Sequence, residues 1–209
     1  MLESDAARAT QPPRLLLITD RRCVPAGRTL PEQIARALVG APAEVAVLLR
    51  DKDAEDIERR RLAEDLRTVT ADANVRLLIH GDLILADAVG ADGVHVADDA
   101  AARARLADAD PTWLRGASCH GAASLADAAQ VAHYATLSPI LASPGKGAPL
   151  GLDALDGHPL PVLALGGIGP SAAGDAVRAG AWGVAGIRAY LAAADPAGAV
   201  RSTLEAMRA

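Results

Sequence analysis

Eight short aliphatic runs recur along the chain, each followed by a longer, Ala-rich amphipathic stretch. The runs are Arg14–Ile18, Glu44–Leu49, Val75–Ile79, Gly93–Val96, Trp113–Ser118, Tyr134–Ser138, Pro161–Leu165 and Trp182–Ile187. They are near-continuous in aliphatic residues rather than alternating, the pattern of a strand buried on both faces. The intervening stretches carry helix signals. Thr29-Leu30-Pro31-Glu32 offers an N-cap, and Pro170-Ser171-Ala172 opens a helix after a glycine turn. The longest polar stretch, Asp53 to Ala71, predicts a helix with Glu55/Arg59 and Asp56/Arg60 paired one turn apart. Eight strand–helix pairs in 209 residues predict a single-domain (β/α)8 TIM barrel over residues 14–209, with residues 1–13 as an N-terminal tail. A doubly wound open sheet shares this periodicity and is the alternative.

Composition narrows the function classes. With 26 acidic and 21 basic residues the net charge is −5, and the only basic cluster is Arg59-Arg60-Arg61, which excludes a nucleic-acid binder as the first reading. No run of about 18 apolar residues exists to span a membrane, and the first residues lack the apolar core of a signal peptide. A cytoplasmic setting is expected. Cys23 and Cys119 form no metal or redox motif, and a chain of this size needs no disulfide. Phe is absent, so the core must be built from Ala, Leu, Val and Ile.

In a barrel the chemistry lies just after each strand. That rim collects Thr19 to Arg22, Arg50 and Lys52, His80 to Asp82, Asp98 and Asp99, Ser118 to His120, Ser138 to Lys146, Gly166 and Gly167, and Gly186 and Arg188. Such a ring suits a small anionic ligand. LALGGIGPSAAGDAV places Gly166, Gly167 and Gly169 between a buried strand and a helix N-terminus, where amides and the helix dipole favour an oxyanion. The next strand ends in GAWGVAGIR, so Gly186, Ile187 and Arg188 complete the phosphate grip that barrels build after strands 7 and 8. Glycines that merely make tight turns are the bland alternative. The irregular stretch from Pro139 to Gly151 is long enough to be functional.

Seven segments in order carry a family resemblance: LLLITDR at 15–21, LLRDK at 48–52, GADGVHV at 90–96, SCH at 118–120, SPILASPGKG at 138–147, LALGGI at 163–168 and GAWGVAGIR at 180–188. The chain resembles the thiamine phosphate synthase / TenI family over Leu15 to Leu191. The resemblance implies a small phosphorylated heterocyclic substrate, and often a homodimer. For the synthase it implies coupling of a pyrimidine diphosphate to a thiazole phosphate, with pyrophosphate released with the help of Mg²⁺. It places Arg50, Lys52 and Lys146 at the pyrophosphate, Ser118 near the pyrimidine, and Gly166, Gly167 and the Ile187 turn at the thiazole phosphate.

The departures point toward the other branch. Leu48 stands where the synthase has Gln, and His80-Gly81 replaces its Asn-Asp after strand 3, removing a metal carboxylate. Ala142-Ser143-Pro144-Gly145-Lys146 replaces Pro-Thr-x-Thr-Lys, and Arg188 replaces a Ser. The expectation is therefore a TenI-like, metal-independent thiazole phosphate tautomerase with no cofactor, although the acid–base His of that branch corresponds to Pro139. His80 and His120 are its candidate proton carriers, each able instead to cap a backbone carbonyl. His95 reads as a satisfied structural histidine. The alternatives are the Mg²⁺-dependent synthase, with Asp98 or Asp99 as metal ligand, and a non-catalytic binder of thiazole or thiamine phosphate.

Overall fold

The structure, a computed structural model, describes residues 10–51 and 53–209. Most of the expected tail, and Lys52, lie outside the described residues. Eight parallel strands close in chain order: β1 (Leu15–Ile18), β2 (Val45–Leu49), β3 (Arg76–His80), β4 (Gly93–Val96), β5 (Leu114–Cys119), β6 (Tyr134–Leu137), β7 (Val162–Ala164) and β8 (Gly183–Gly186). Leu15 pairs with Val45 on one side and Val184 on the other, so no edge remains and the open-sheet alternative is excluded.

Both faces of each strand are buried, which explains the unbroken aliphatic runs. Leu16, Ile18, Ala46, Leu48, Leu78, Leu114, Tyr134, Leu163 and Ala185 fill the barrel interior. Leu15, Leu17, Val45, Val47, Leu77 and Ile79 face outward under the helices. Without Phe, the bulkiest fully buried side chain of the interior is Tyr134.

Among the described residues the α-helices are α1 (Leu30–Ala37), α2 (Asp56–Asp72), α3 (Leu83–Ala88), α4 (Ala100–Ala104), α5 (Ala122–Ala128), α6 (Pro170–Arg178), α7 (Arg188–Leu191) and α8 (Pro196–Ala206). The expected start of α1 is a full capping box. Thr29 Oγ1 accepts from the Glu32 amide at 3.3 Å, and Glu32 Oε2 accepts from the Thr29 amide at 2.7 Å. The expected start of α6 at Pro170 is also present. Between β6 and β7 the crossover is the irregular 139–151 segment and a 3₁₀ turn, Leu152–Leu155, in place of a helix.

The expected pairing on α2 is not the one formed. Glu55 is the N-cap, and it meets Arg59 one turn on through its backbone carbonyl, which accepts from the Arg59 amide at 2.8 Å, rather than through its side chain. Arg59 instead reaches Asp56 at 3.1 Å and Asp82 at 2.9 Å, and Arg60 pairs with Glu64 at 3.0 Å.

The seam between β8 and β1 is tied by a fully buried Gln33. Its amide donates to the carbonyls of Leu191 at 2.8 Å and Ala193 at 3.3 Å, joining α1 to the end of α7. Removing that donor strands buried carbonyls. Gln33→Leu is expected to lower unfolding stability by about 1–3 kcal/mol, and Thr29→Ala by about 1 kcal/mol. Urea titration of each variant checks this; a Gln33→Leu protein as stable as wild type would contradict the role of the seam.

Candidate active site

The C-terminal mouth is fixed first by a buried pair. Thr19, just past β1, donates from Oγ1 to Asp51 Oδ2 at 2.9 Å and accepts from the Arg50 amide at 2.8 Å. Asp51 also accepts from the Arg21 amide at 3.2 Å. The ends of β1 and β2 are thereby locked together, and Arg50 is launched from a rigid corner. The LLRDK segment contained this Asp, yet nothing in its spacing separates a scaffold carboxylate from a ligand-binding one.

Arg50, His80, Ser118, His120, Lys146, Gly166 and Ile187 all line one cavity of about 440 Å³, together with Asp20, Arg22, His95, Asp98 and Thr136. Gly166, Gly167, Gly186, Ile187 and Arg188 line a second of about 370 Å³. The two adjoin, sharing Ser143, Pro144, Leu165, Gly166 and Ile187. A larger void of about 800 Å³ lies at the opposite end of the barrel. Its cations are engaged locally: Arg14 stacks on Trp182 with 5.2 Å to the ring centroid, Arg208 pairs with Glu44, and Arg76 donates to the Gln11 carbonyl at 2.7 Å.

The second cavity shows why glycine is required. Gly166 and Gly167 adopt φ of +90° and +69°, and a Cβ on either would collide with the returning 139–142 segment. That segment is stapled to them, Ile140 N donating to Leu165 O at 2.9 Å and Leu141 N to Gly166 O at 3.0 Å. The glycines thus make a tight turn and also wall a polar cavity with backbone, beside the first turns of α6 and α7.

The two candidate proton carriers differ. His120 is exposed and donates from Nδ1 to the Ser138 carbonyl at 2.8 Å, the carbonyl-capping arrangement. Because a carbonyl only accepts, Nδ1 carries a proton, and Nε2 is left for other partners. His80 is half-buried at the end of β3 and stacks on His95, ring centroids 6.1 Å apart. His95 is fully buried and satisfied at both nitrogens, as expected: Nδ1 meets Tyr134 Oη at 3.0 Å and Nε2 meets Ser118 Oγ at 3.1 Å. Burial holds its pKa well below the usual histidine value, helped by His80 and Arg50. Cys119 is a buried filler whose thiol is pushed up to about 11 by burial, and both cysteines are free.

The acids are mostly committed. Asp99 is the N-cap of α4, accepting from the Ala102 amide at 2.7 Å. Asp98 reaches the cavity but pairs with Arg103 at 2.7 Å, and Asp20 pairs with Arg22 at 2.9 Å, which holds its carboxyl below the ordinary range. Asp82 caps α3 and pairs with Arg59. Among the described residues no three carboxylate, imidazole or thiolate groups converge. Mg²⁺ is commonly held by one or two carboxylates together with substrate phosphates, and Asp20 and Asp98 are the carboxylates that line this cavity.

The comparisons agree with this geometry. A family model described as thiamine monophosphate synthase (TMP-TENI) matches residues 15–190. A Geobacter sulfurreducens protein provisionally named thiamine-phosphate synthase is 39% identical over 202 residues, 91% of this chain and 92% of its own length. Thiamine-phosphate synthase of Natronomonas pharaonis is 37% identical, with 87% and 89% covered. Among solved structures, thiamine phosphate pyrophosphorylase from Pyrococcus furiosus superposes with a TM-score of 0.79 at 25% identity, covering 97% of this chain and 98% of that one. With the barrel, the twin cavities and the family match in agreement, the chain belongs to the thiamine monophosphate synthase family.

Proposed function

We propose that the protein is a thiamine-phosphate synthase, joining a pyrimidine carried as its diphosphate to a thiazole phosphate. The observation that carries this reading is the pair of adjoining cavities. A glycine-walled pocket of about 370 Å³ adjoins one of about 440 Å³ that holds cations and imidazoles, which suits two substrates meeting at a shared wall. The names of the relatives support it.

In the reaction the C–O bond between the pyrimidine methylene and its diphosphate breaks, the electron pair leaving with the diphosphate. The thiazole nitrogen supplies its lone pair to the same carbon, forming the C–N bond. No proton need move at the reacting atoms, so the demand on the protein is electrostatic: charge builds on the departing oxygens. Arg50, held by the Thr19–Asp51 corner, and Lys146, on the loop after β6, are the cations offered there. Gly166, Gly167, Gly186, Ile187 and Arg188 would hold the thiazole phosphate, and Ser118 the pyrimidine. Asp20 and Asp98, the carboxylates that line the larger cavity, would hold Mg²⁺ beside the diphosphate, where a cation would help neutralise the departing charge.

The tautomerase expected from His80-Gly81 has weaker support. Its relatives carry synthase names, and the position of its acid–base His is Pro139, which has nothing to titrate.

Incubating the protein with both substrates should yield thiamine phosphate and an equal amount of pyrophosphate, read by thiochrome fluorescence and a pyrophosphatase-coupled assay. No coupling with both substrates saturating, with or without Mg²⁺, would reject the synthase. Aromatisation of the thiazole phosphate alone would restore the isomerase. Arg50→Ala is expected to lower kcat by about 100-fold or more, the loss typical of a donor aimed at developing charge. Gly167→Ala, strained at its positive φ, should raise KM for the thiazole phosphate about tenfold while sparing kcat. Equal losses for both substrates in Gly167→Ala would remove that turn from the phosphate grip.

A further inference from the structure

Three adjacent strands bring Tyr134, His95 and Ser118 into one line that ends at the cavity. Gly116 on β5 is in register with His95 of β4 on one side and Tyr134 of β6 on the other. A Cβ at Gly116 would overlap the Tyr134 ring and stand 2.5 Å from His95 Nδ1. The glycine therefore opens the gap through which the tyrosine hydroxyl reaches across β5 to the imidazole at 3.0 Å.

The direction of each hydrogen bond follows from what the groups can do. Tyr134 and His95 are both buried, and burial raises the phenol's pKa and lowers the imidazole's, so the pair is neutral. A neutral imidazole has one N–H and one bare nitrogen. If Nδ1 held the proton, it would donate to Tyr134 Oη, and the phenol would have to find another acceptor for its own proton inside the barrel. With the phenol donating to a bare Nδ1, both are satisfied, and the imidazole proton falls on Nε2, 3.1 Å from Ser118 Oγ. Ser118 then accepts from below, and its own proton points away from the imidazole, toward the cavity that Ser118 lines.

We infer that Tyr134 and His95 are positioning residues that fix Ser118 as a hydrogen-bond donor into the cavity, so that the site selects a ligand atom able to accept there. An unprotonated ring nitrogen of a heterocycle meets that condition; a ring N–H or amino group in the same place does not. His95 thus has a role beyond filling the interior, acting through Ser118. The selection of ligand rests on the proposed synthase reading, whereas the tautomer of His95 does not.

The first measurement is the ¹⁵N spectrum of histidine-labelled protein at pH 7, with His95 assigned by its absence from His95→Gln. The expected result is a single Nε2–H tautomer with bare Nδ1. A proton on Nδ1, or on both nitrogens, would overturn the relay. In Tyr134→Phe, checked for folding by circular dichroism, the Nδ1–H form should appear; a spectrum unchanged from wild type would also overturn it. The second measurement is kinetic. His95→Gln keeps an N–H toward Ser118 and should hold KM for the pyrimidine diphosphate within about threefold, while His95→Leu should raise it about tenfold, the loss of roughly one hydrogen bond. An equal rise in both variants, or an effect confined to kcat, would refute the selection. If wild type couples nothing, the synthase reading fails and the spectrum alone decides the relay.

Discussion

The pairing of β1 with β8 is the contact on which the molecule depends. Once Leu15 lies beside Val184, no strand edge is left, and the polar side chains of the strands are driven to the two ends of the barrel. The strand side chains between the ends are almost wholly aliphatic, and of the buried polar residues Thr19, Asp51, His95, Thr136 and Ser138 belong to the C-terminal end or to the line leading to it. Burial there is affordable only where hydrogen bonds are complete. The Thr19–Asp51 corner and the His95 line meet that condition, so the same bonds that satisfy buried groups also set the direction of Arg50 and Ser118.

Charge at the mouth is sorted by the helices around it. Asp82 and Asp99 cap the helices after β3 and β4, Asp98 is neutralised by Arg103, and Asp20 by Arg22. What the cavity presents after this sorting is cationic: Arg50 and Lys146 on the larger side, Arg188 beside the glycine turn. A chain of net charge −5 can therefore offer a positive mouth to a phosphorylated ligand, because its acids are occupied in caps and pairs and its surface carries the rest.

The fold was legible because burial on both strand faces leaves a strong signature. Every expected run overlaps a strand, and no end differs by more than one residue. The rim was legible for the same reason: a residue following a buried run must emerge at the mouth. Roles on the rim were less legible. Asp98 and Asp99 are neighbours with the same chemistry, yet one caps a helix and the other pairs with an arginine, and only the φ/ψ of the turn decides which. Glu55 and Arg59 have helical spacing, but the Arg59 guanidinium is taken by Asp56 and by Asp82, a residue distant in sequence. His95 read as structural because it sits within a strand; its contact with Tyr134 depends on Gly116 in the strand between them, a relation that appears only once the strands are in register.

The glycines tie the two halves of the site to one another. Gly166 and Gly167 let the 139–142 segment close over the β7 turn, and the loop to which it belongs supplies Pro139, Ser143 and Pro144 to the cavity that Ser118 and His95 enter from the far side. Gly116 does the corresponding work below, letting β6 and β4 communicate across β5. At each place a missing side chain makes possible a contact between elements that are not neighbours in sequence. The polar groups so joined are then rigid, because each lies on a strand or is stapled to one. A catalyst that works by holding two heterocycles and a departing anion, rather than by moving protons, needs that rigidity more than it needs titrating groups at the reacting atoms. That is why histidines spent on a carbonyl cap and on a buried hydrogen-bond line are consistent with an active synthase.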